Sequence, residues 1–291
     1  MSVCNLCPRA CGVDRGEKSG FCGVSDTIRV ARAAPHYWEE PPISGDKGSG
    51  AVFFSGCSLR CVFCQNYDIS VGGFGKEVTP QELRAIFDRL VSEGCHNINL
   101  VTATHYTDKV LEALAEPLPV PVVWNTGGYE SVETLRKLSG KVQIYLPDMK
   151  YALPEPARKY SFAPDYFEVA SKAIAEMYSQ VGDCEYDEDG ILRCGMIVRH
   201  LVLPGNLENS YRVMDWFSEN YGDKGVCFSL MSQFTPMGRS RDFPELSRRL
   251  TEEEYALAVE YMESLGIENG FYQELSSAKE EYTPDFDLTG V

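Results

Sequence analysis

The chain has 291 residues, 44% of them hydrophobic and 24% charged, with a formal net charge of −16. That length suits one large α/β domain or two small ones. An acidic surface repels phosphate backbones and argues against nucleic acid as a partner, and no run approaches the ~18 apolar residues of a membrane span. The opening stretch "MSVCNLCPRACGVDRG" has no apolar signal region, so a soluble, cytoplasmic protein is expected.

Residues 1–50 are rich in Cys, Gly and Pro and carry little periodicity. They read as a Cys-rich, metal-binding N-terminal extension, with "AAPHYWEEPPISGDKGSG" as irregular chain packed around the strands and helices after it. From residue 51 short apolar runs alternate with amphipathic segments. The runs are "AVFFSG" (51–56), "NINLVT" (97–102), "VPVVWNT" (120–126), "KVQIYLP" (141–147), "GMIVRHLVL" (195–203) and "GVCFSLM" (225–231). The segments between them have helical spacing and caps, such as Thr79 before Pro80, and a last helix is expected over Thr251–Leu265. "GDCEYDEDGILRCG" (182–195) reads as a hairpin turning at "DEDG". Alternating β and α implies parallel strands with helices outside, hence α/β with a partial or full TIM-like (β/α) barrel over 51–275 and a C-terminal tail over 276–291. A doubly wound sheet is the alternative, and both place ligands at the carboxyl ends of strands.

Eleven cysteines in a cytosolic chain argue for metal or redox chemistry before disulfides, and seven fall in the first 64 residues. Cys57, Cys61 and Cys64 follow the first run of the barrel. Three is the wrong number for a disulfide framework or for a closed zinc site. Three thiolates on a four-iron cubane leave one iron open for a substrate or cofactor. Cys4, Cys7, Cys11 and Cys22, spaced C-x2-C-x3-C-x10-C, suit a second site, either structural zinc or an additional iron–sulfur cluster. Cys95, Cys184, Cys194 and Cys227 read as ordinary thiols, with Cys184 and Cys194 facing each other across the hairpin.

At the strand ends, Asn125 and Thr126 carry groups that bond hydroxyls. Gly127 and Gly128 permit close backbone approach. Asp148 and Lys150 share a side of extended chain by period two. Arg199, embedded with His200 in an apolar strand, demands an anionic partner. His105 is a further candidate, for catalysis or for lining a loop. Ser232, Gln233 and Thr235 end the sixth run. Arg239 and Arg241 come after it, two cations on an acidic chain, and are expected to meet an anionic substrate or an acidic electron donor.

The C-x3-C-x2-C arrangement resembles that of the radical S-adenosylmethionine (radical SAM) superfamily, and Phe63 matches the aromatic position before its last cysteine. "CNLCPRACGVDRGEKSGFCG", "NINLVTATHY", "VVWNTGGYE", "YLPDMKY" and "VRHLVLPG" extend the resemblance over nearly the whole chain. They point to the PflX-type branch, relatives of pyruvate formate-lyase activating enzyme. The resemblance implies a [4Fe–4S] cluster on Cys57, Cys61 and Cys64, with SAM chelated at the open iron. Phe63, Thr102, Thr104, Asn125, Thr126, Asp148, Lys150, Arg199 and Gln233 would lie around SAM. It implies reductive cleavage to a 5'-deoxyadenosyl radical, an electron donor such as flavodoxin or ferredoxin, and a glycyl-radical enzyme, another protein or a small molecule as substrate. The chain departs from the superfamily at its second strand, where Thr102-Ala103-Thr104-His105 stands for the usual Gly-Gly-Glu. It also lacks the ferredoxin-like insert of many glycyl-radical activases. A non-catalytic iron–sulfur carrier would need the clusters but not the polar strand tips.

Overall fold

The computed structural model describes residues 3–273 and 284–291. The strands are β1 (Ile28–His36), β2 (Ser49–Phe54), β3 (Lys76–Val78), β4 (Ile98–Val101), β5 (Val122–Thr126), β6 (Ile144–Pro147), β7 (Glu185–Tyr186), β8 (Leu192–Leu201), β9 (Cys227–Met231) and β10 (Gly270–Tyr272). The helices are α1 (Pro41–Ser44), α2 (Tyr67–Ser70), α3 (Pro80–Ser92), α4 (Thr107–Ala113), α5 (Val132–Lys137), α6 (Pro154–Ser161), α7 (Tyr166–Val181), α8 (Leu207–Tyr221) and α9 (Glu252–Ser264). None is long and apolar enough to cross a membrane.

The sheet runs β10-β9-β8-β6-β5-β4-β2-β1-β3. From β2 to β10 every neighbouring pair is parallel, while β1 pairs antiparallel with both β2 and β3. Among the described residues the ends of the sheet do not pair, so the partial barrel, not the full one, is what forms. β1 corrects the reading of residues 33–50 as irregular. Its burial follows no clean alternation, because the strand lies between β2 and β3 and is also covered by the chain's end. Residues 276–283 of the expected tail lie outside the described residues. Residues 284–291 run along β1, where Thr289 O accepts from Ala33 N (2.9 Å) and Leu288 N donates to Ala31 O (3.1 Å). The hairpin turns at Asp187–Gly190 as expected, with β7 on β8.

Local chemistry explains the helices. α3 starts at a capping box, Thr79 with Glu82, with Pro80 in its first turn, and buries Leu83, Ile86, Phe87 and Leu90 at helical spacing. α9 repeats the box with Thr251 and Glu254. Strand period two then sorts the sheet. Val52, Phe54, Leu100, Trp124, Tyr145, Val198 and Phe228 face the helices in the main core. Ile43, on α1, packs with Val123, Ile144, Leu146, Leu192, Ile197 and Cys227 in a separate apolar cluster. These are lumen-facing positions near the strand beginnings, so α1 plugs the bottom of the barrel. Short as it is, the "PPIS" segment serves as a floor.

Candidate active site

The segment Gly56–Asn66 leaves the end of β2 and crosses the mouth of the lumen. Gly56 takes φ +89, and a Cβ there would stand 2.9 Å from Cys22 O, so the close crossing requires glycine. Arg60 turns the loop in the left-handed region at φ 52, a conformation costing a non-glycine residue about 1–2 kcal/mol. Ser161 Oγ donates to Cys61 Sγ (2.9 Å), and Cys64 N donates to Cys61 O (3.2 Å). Burial pushes the Cys61 thiol up to about 12, against the pull of Lys150, and also raises Cys64. Without a cation these sulfurs stay protonated; a bound iron would hold them as thiolates.

Cys57, Cys61, Phe63, Cys64, Thr102, Asn125, Thr126, Asp148, Lys150, Arg199 and Gln233 line one cavity of about 210 Å³ at the strand ends. Of the predicted residues around it, Thr104 alone is absent from the wall. Its hydroxyl donates to Glu130 Oε1 (2.5 Å), and the Thr126 hydroxyl donates to the same oxygen. Thr102 takes φ 62, strained for a β-branched residue, and its N donates to Asn125 O (2.8 Å). Phe63 packs against Tyr160 and Phe234. The Gln233 backbone carbonyl accepts from Gln65 Nε2 (2.9 Å).

Beneath the cavity lies a charged layer. Asp148 bonds Lys150 Nζ (2.5 Å) through Oδ2 and Arg199 Nε (2.9 Å) through Oδ1. Arg199 also reaches Glu39 (3.1 Å), Glu40 (3.7 Å) and Asn125 Oδ1 (2.7 Å). Asn125 Nδ2 closes the ring on Glu39 Oε1 (3.1 Å). The anion that Arg199 demands is thus present inside the chain. Burial raises Asp148, but Arg199 and Lys150 outweigh it and hold the carboxyl below its ordinary range. Glu39 and Glu40 rise, by burial first and against Arg199, Glu40 to about 7. Two cations face three carboxylates, so the layer is anionic when all are ionised.

Sequence reasoning missed Glu39, Glu40, Glu130, Ser161 and Arg9. The "EE" between Trp38 and Pro41, with no basic neighbour, was the available signal. Arg9 bonds Ser58 O (2.8 Å) and Ser161 O (2.9 Å), a partnership that no local pattern announces. His105 is buried away from this cavity. Its Nε2 bonds Ser55 O (2.8 Å), and burial lowers it to about 3, so it is a neutral packing residue behind β2. His200 likewise faces the helices, between Met149 O and Ser210 Oγ. Arg239 and Arg241 are exposed, and Arg239 pairs with Asp242 (2.8 Å). All eleven cysteines are free. Cys184 does not face Cys194: it sits beside Cys227 and donates to Met196 O (3.2 Å), while Cys194 donates to Val181 O.

The donor set fits an iron–sulfur cubane. Three thiols rim one cavity, and a sulfur already takes a hydroxyl hydrogen bond of the kind that tunes such clusters. Among the described residues no three His, Cys, Asp or Glu side chains are gathered as ligands of a single ion. A cubane does not ask for that, because each thiolate binds a different iron.

Residues 51–174 match the family model of the radical SAM superfamily. Over 276 residues the chain is 30% identical to Uncharacterized protein MJ0674 of Methanocaldococcus jannaschii, covering 91% of this chain and 75% of that protein. Its fold is similar to that of Streptococcus suis SuiB, solved bound to precursor peptide SuiA, at TM-score 0.50 and 11% identity. That likeness covers 77% of this chain and about half (48%) of SuiB. A domain of pyruvate-formate lyase-activating enzyme from Bacteroides vulgatus aligns at TM-score 0.36 and 12% identity, over 67% of this chain and 91% of that domain. Family match, relative and a partial parallel barrel with three thiols at its mouth agree: the chain belongs to the radical SAM superfamily, and the protein is an enzyme of the radical SAM type.

Proposed function

We infer that the protein reductively cleaves SAM at a [4Fe–4S] cluster held by Cys57, Cys61 and Cys64 and directs the radical at a hydrogen of a protein substrate, a glycyl-radical enzyme being the first class to test. The observation that carries the reading is the single cavity shared by three thiols and by polar groups from the ends of β5, β6, β8 and β9. Bound there, a reduced cluster would supply one electron to the sulfonium of SAM, giving methionine and a 5'-deoxyadenosyl radical, which is the difficult chemistry.

The chain's residues supply position and charge. SAM carries a sulfonium, an amine and a carboxylate, and the layer offers both signs of charge, with Asp148 for the cationic groups and Lys150 and Arg199 for the carboxylate. Lys150 stands between Asp148 and the cluster loop, close enough to Cys61 to stabilise its thiolate. Gln233 presents an amide to hydroxyls and ring nitrogens, while the Asn125 amide is committed to Arg199 and Glu39 and holds the charged ring in place. Phe63 closes an apolar wall with Tyr160 and Phe234, suited to an adenine face. Thr126, committed to Glu130, is better suited to holding the β5 tip than to binding ribose. A carrier without catalysis would have no use for this polar wall.

An acidic one-electron donor such as flavodoxin or ferredoxin suits the exposed Arg239 and Arg241 on a chain of net charge −16. Reversing both charges should lower donor-driven turnover and flatten its salt dependence. The test of the function is anaerobic reduction with SAM: 5'-deoxyadenosine and methionine are expected in equal amounts, and neither product from iron-loaded protein would overturn the reading.

A further inference from the structure

The proposed chemistry uses three of the seven clustered cysteines, and the other four stand directly behind them. Cys22 is buried and Cys4, Cys7 and Cys11 are half-buried. Bonds from Cys4 N to Val13 O (3.0 Å), Gly12 N to Cys4 O (3.3 Å) and Ala10 N to Cys7 O (3.0 Å) fold this segment into a compact loop. A Cβ on Gly20 would stand 3.1 Å from Cys11 Sγ and 3.5 Å from Cys22 Sγ, so glycine leaves open the space between these two sulfurs.

The loop shares its cysteine spacing and one backbone kink with the cavity loop. Cys7 to Cys11 and Cys57 to Cys61 are both C-x3-C, and in each the residue before the second cysteine is left-handed, Ala10 at φ 40 and Arg60 at φ 52. Neither is glycine, so the same costly kink falls at the same place in both loops. Two links join the four-cysteine segment to the cavity loop, one between backbones and one through the Arg9 side chain. Cys57 N donates to Cys22 O (3.2 Å). Arg9, between Cys7 and Cys11, holds Ser58 O and Ser161 O, and Ser161 Oγ in turn bonds Cys61 Sγ. Arg15 brings a cation close to Cys22.

A tetrahedral zinc, with Zn–S of about 2.3 Å, needs its sulfurs within about 3.8 Å of one another. The thiols of Cys4 and Cys11 already lie within hydrogen-bond reach of each other, so spacing alone does not choose between zinc and a cubane. The choice falls to iron because the quartet is joined through Cys22 and Arg9 to the loop that carries the inner cluster. We propose that Cys4, Cys7, Cys11 and Cys22 hold a [4Fe–4S] cluster that relays single electrons to the cluster on Cys57, Cys61 and Cys64. A low-potential one-electron donor reduces the outer cluster by one electron. That electron passes to the inner cluster along Cys22, the Cys22–Cys57 hydrogen bond and Cys57, and the outer cluster returns to its oxidised state. No bond forms or breaks and no proton moves. The relay solves an access problem, because SAM and substrate fill the cavity from which the inner cluster is otherwise reached. It rests on the radical SAM reading for the electron's destination.

The experiment uses the full chain with Cys57→Ala, Cys61→Ala and Cys64→Ala together, reconstituted anaerobically with iron and sulfide. About four irons per chain, and an electron paramagnetic resonance signal on reduction with dithionite, are expected. Zinc alone, or no metal on a chain of native circular dichroism, overturns the proposal. Should the triple variant not fold, the comparison moves to the intact chain and Cys7→Ser/Cys11→Ser: a fall from about eight to about four irons supports the site, and equal iron overturns it. The relay is read as the ratio of flavodoxin-driven to dithionite-driven 5'-deoxyadenosine formation, which should drop at least about tenfold in Cys7→Ser/Cys11→Ser if the electron's route runs through this cluster. An unchanged ratio overturns the relay. Failure of dithionite-driven cleavage in the intact chain would instead strike the radical SAM reading itself.

Discussion

The two C-x3-C loops share a left-handed residue before the second cysteine but have two environments. Cys57–Cys61 lies over the lumen with Cys61 buried and a ring of charge beneath it; Cys7–Cys11 lies outside with half-buried thiols and arginines about it. Loop geometry comes from local sequence, and so from spacing and a single left-handed residue. What the thiols can do comes from what packs under them. The inner loop opens onto a cavity walled by strand tips, where an iron left open by three thiolates would have polar groups to hold a cofactor.

The sharpest way to break this contrast is Cys61→Ala. It should cut SAM cleavage to below about one-hundredth of the intact protein's, because loss of a thiolate collapses the cluster that the open iron requires. Full cleavage in that variant would remove the inner loop's distinction. Next in size is the charged layer, which has no counterpart under the outer loop. Arg199→Met leaves Asp148, Glu39 and Glu40 buried without their shared cation, and urea unfolding should show a loss of about 3–5 kcal/mol. A loss under about 1 kcal/mol would mean that the layer is solvated and the contrast overstated.

Glu130 lies between the regions, bonded by Thr104 and Thr126 and close to Cys7. Burial raises it from 4.5 to about 7. The folded chain therefore binds more protons than the unfolded chain between those values, and stability falls as pH rises through that window. The loss is about 3 kcal/mol at most. Glu130→Gln should flatten this slope between pH 5 and pH 7.5 in parallel melts; an unchanged slope would place the titration elsewhere. The smallest effects belong to the kinks themselves. Ala10→Gly and Arg60→Gly should each stabilise or cost nothing, within about 1 kcal/mol, since glycine relieves the left-handed strain but loosens the unfolded chain. Clear destabilisation by Ala10→Gly alone would show that the two loops are not equivalent turns.

The same division separates what the sequence disclosed from what it hid. Alternation placed β2, β4, β5, β6, β8 and β9, and period two placed Asp148 and Lys150 together, because both are properties of one stretch of chain. Arg199 announced its need for an anion but not the answer. Glu39 and Glu40 reach it from about 160 residues away through a segment without periodicity. β10, at the edge of the sheet, was invisible because a short edge strand needs neither alternation nor length once a partner offers hydrogen bonds; β1 was invisible because its burial does not alternate and its partners β2 and β3 lie downstream in the chain. Thr104 and Thr126 were legible as polar strand-end residues, whereas their shared carboxylate, Glu130, was not.

The central claim is that three thiolates leave one iron of the inner cluster open to SAM. Electron paramagnetic resonance of the anaerobically reduced protein, recorded before and after SAM is added, tests it most directly. The account predicts that SAM shifts the g-values of the cluster in the intact chain and that the shifting signal is absent from Cys57→Ala/Cys61→Ala/Cys64→Ala. A reduced cluster whose spectrum is indifferent to SAM would contradict it.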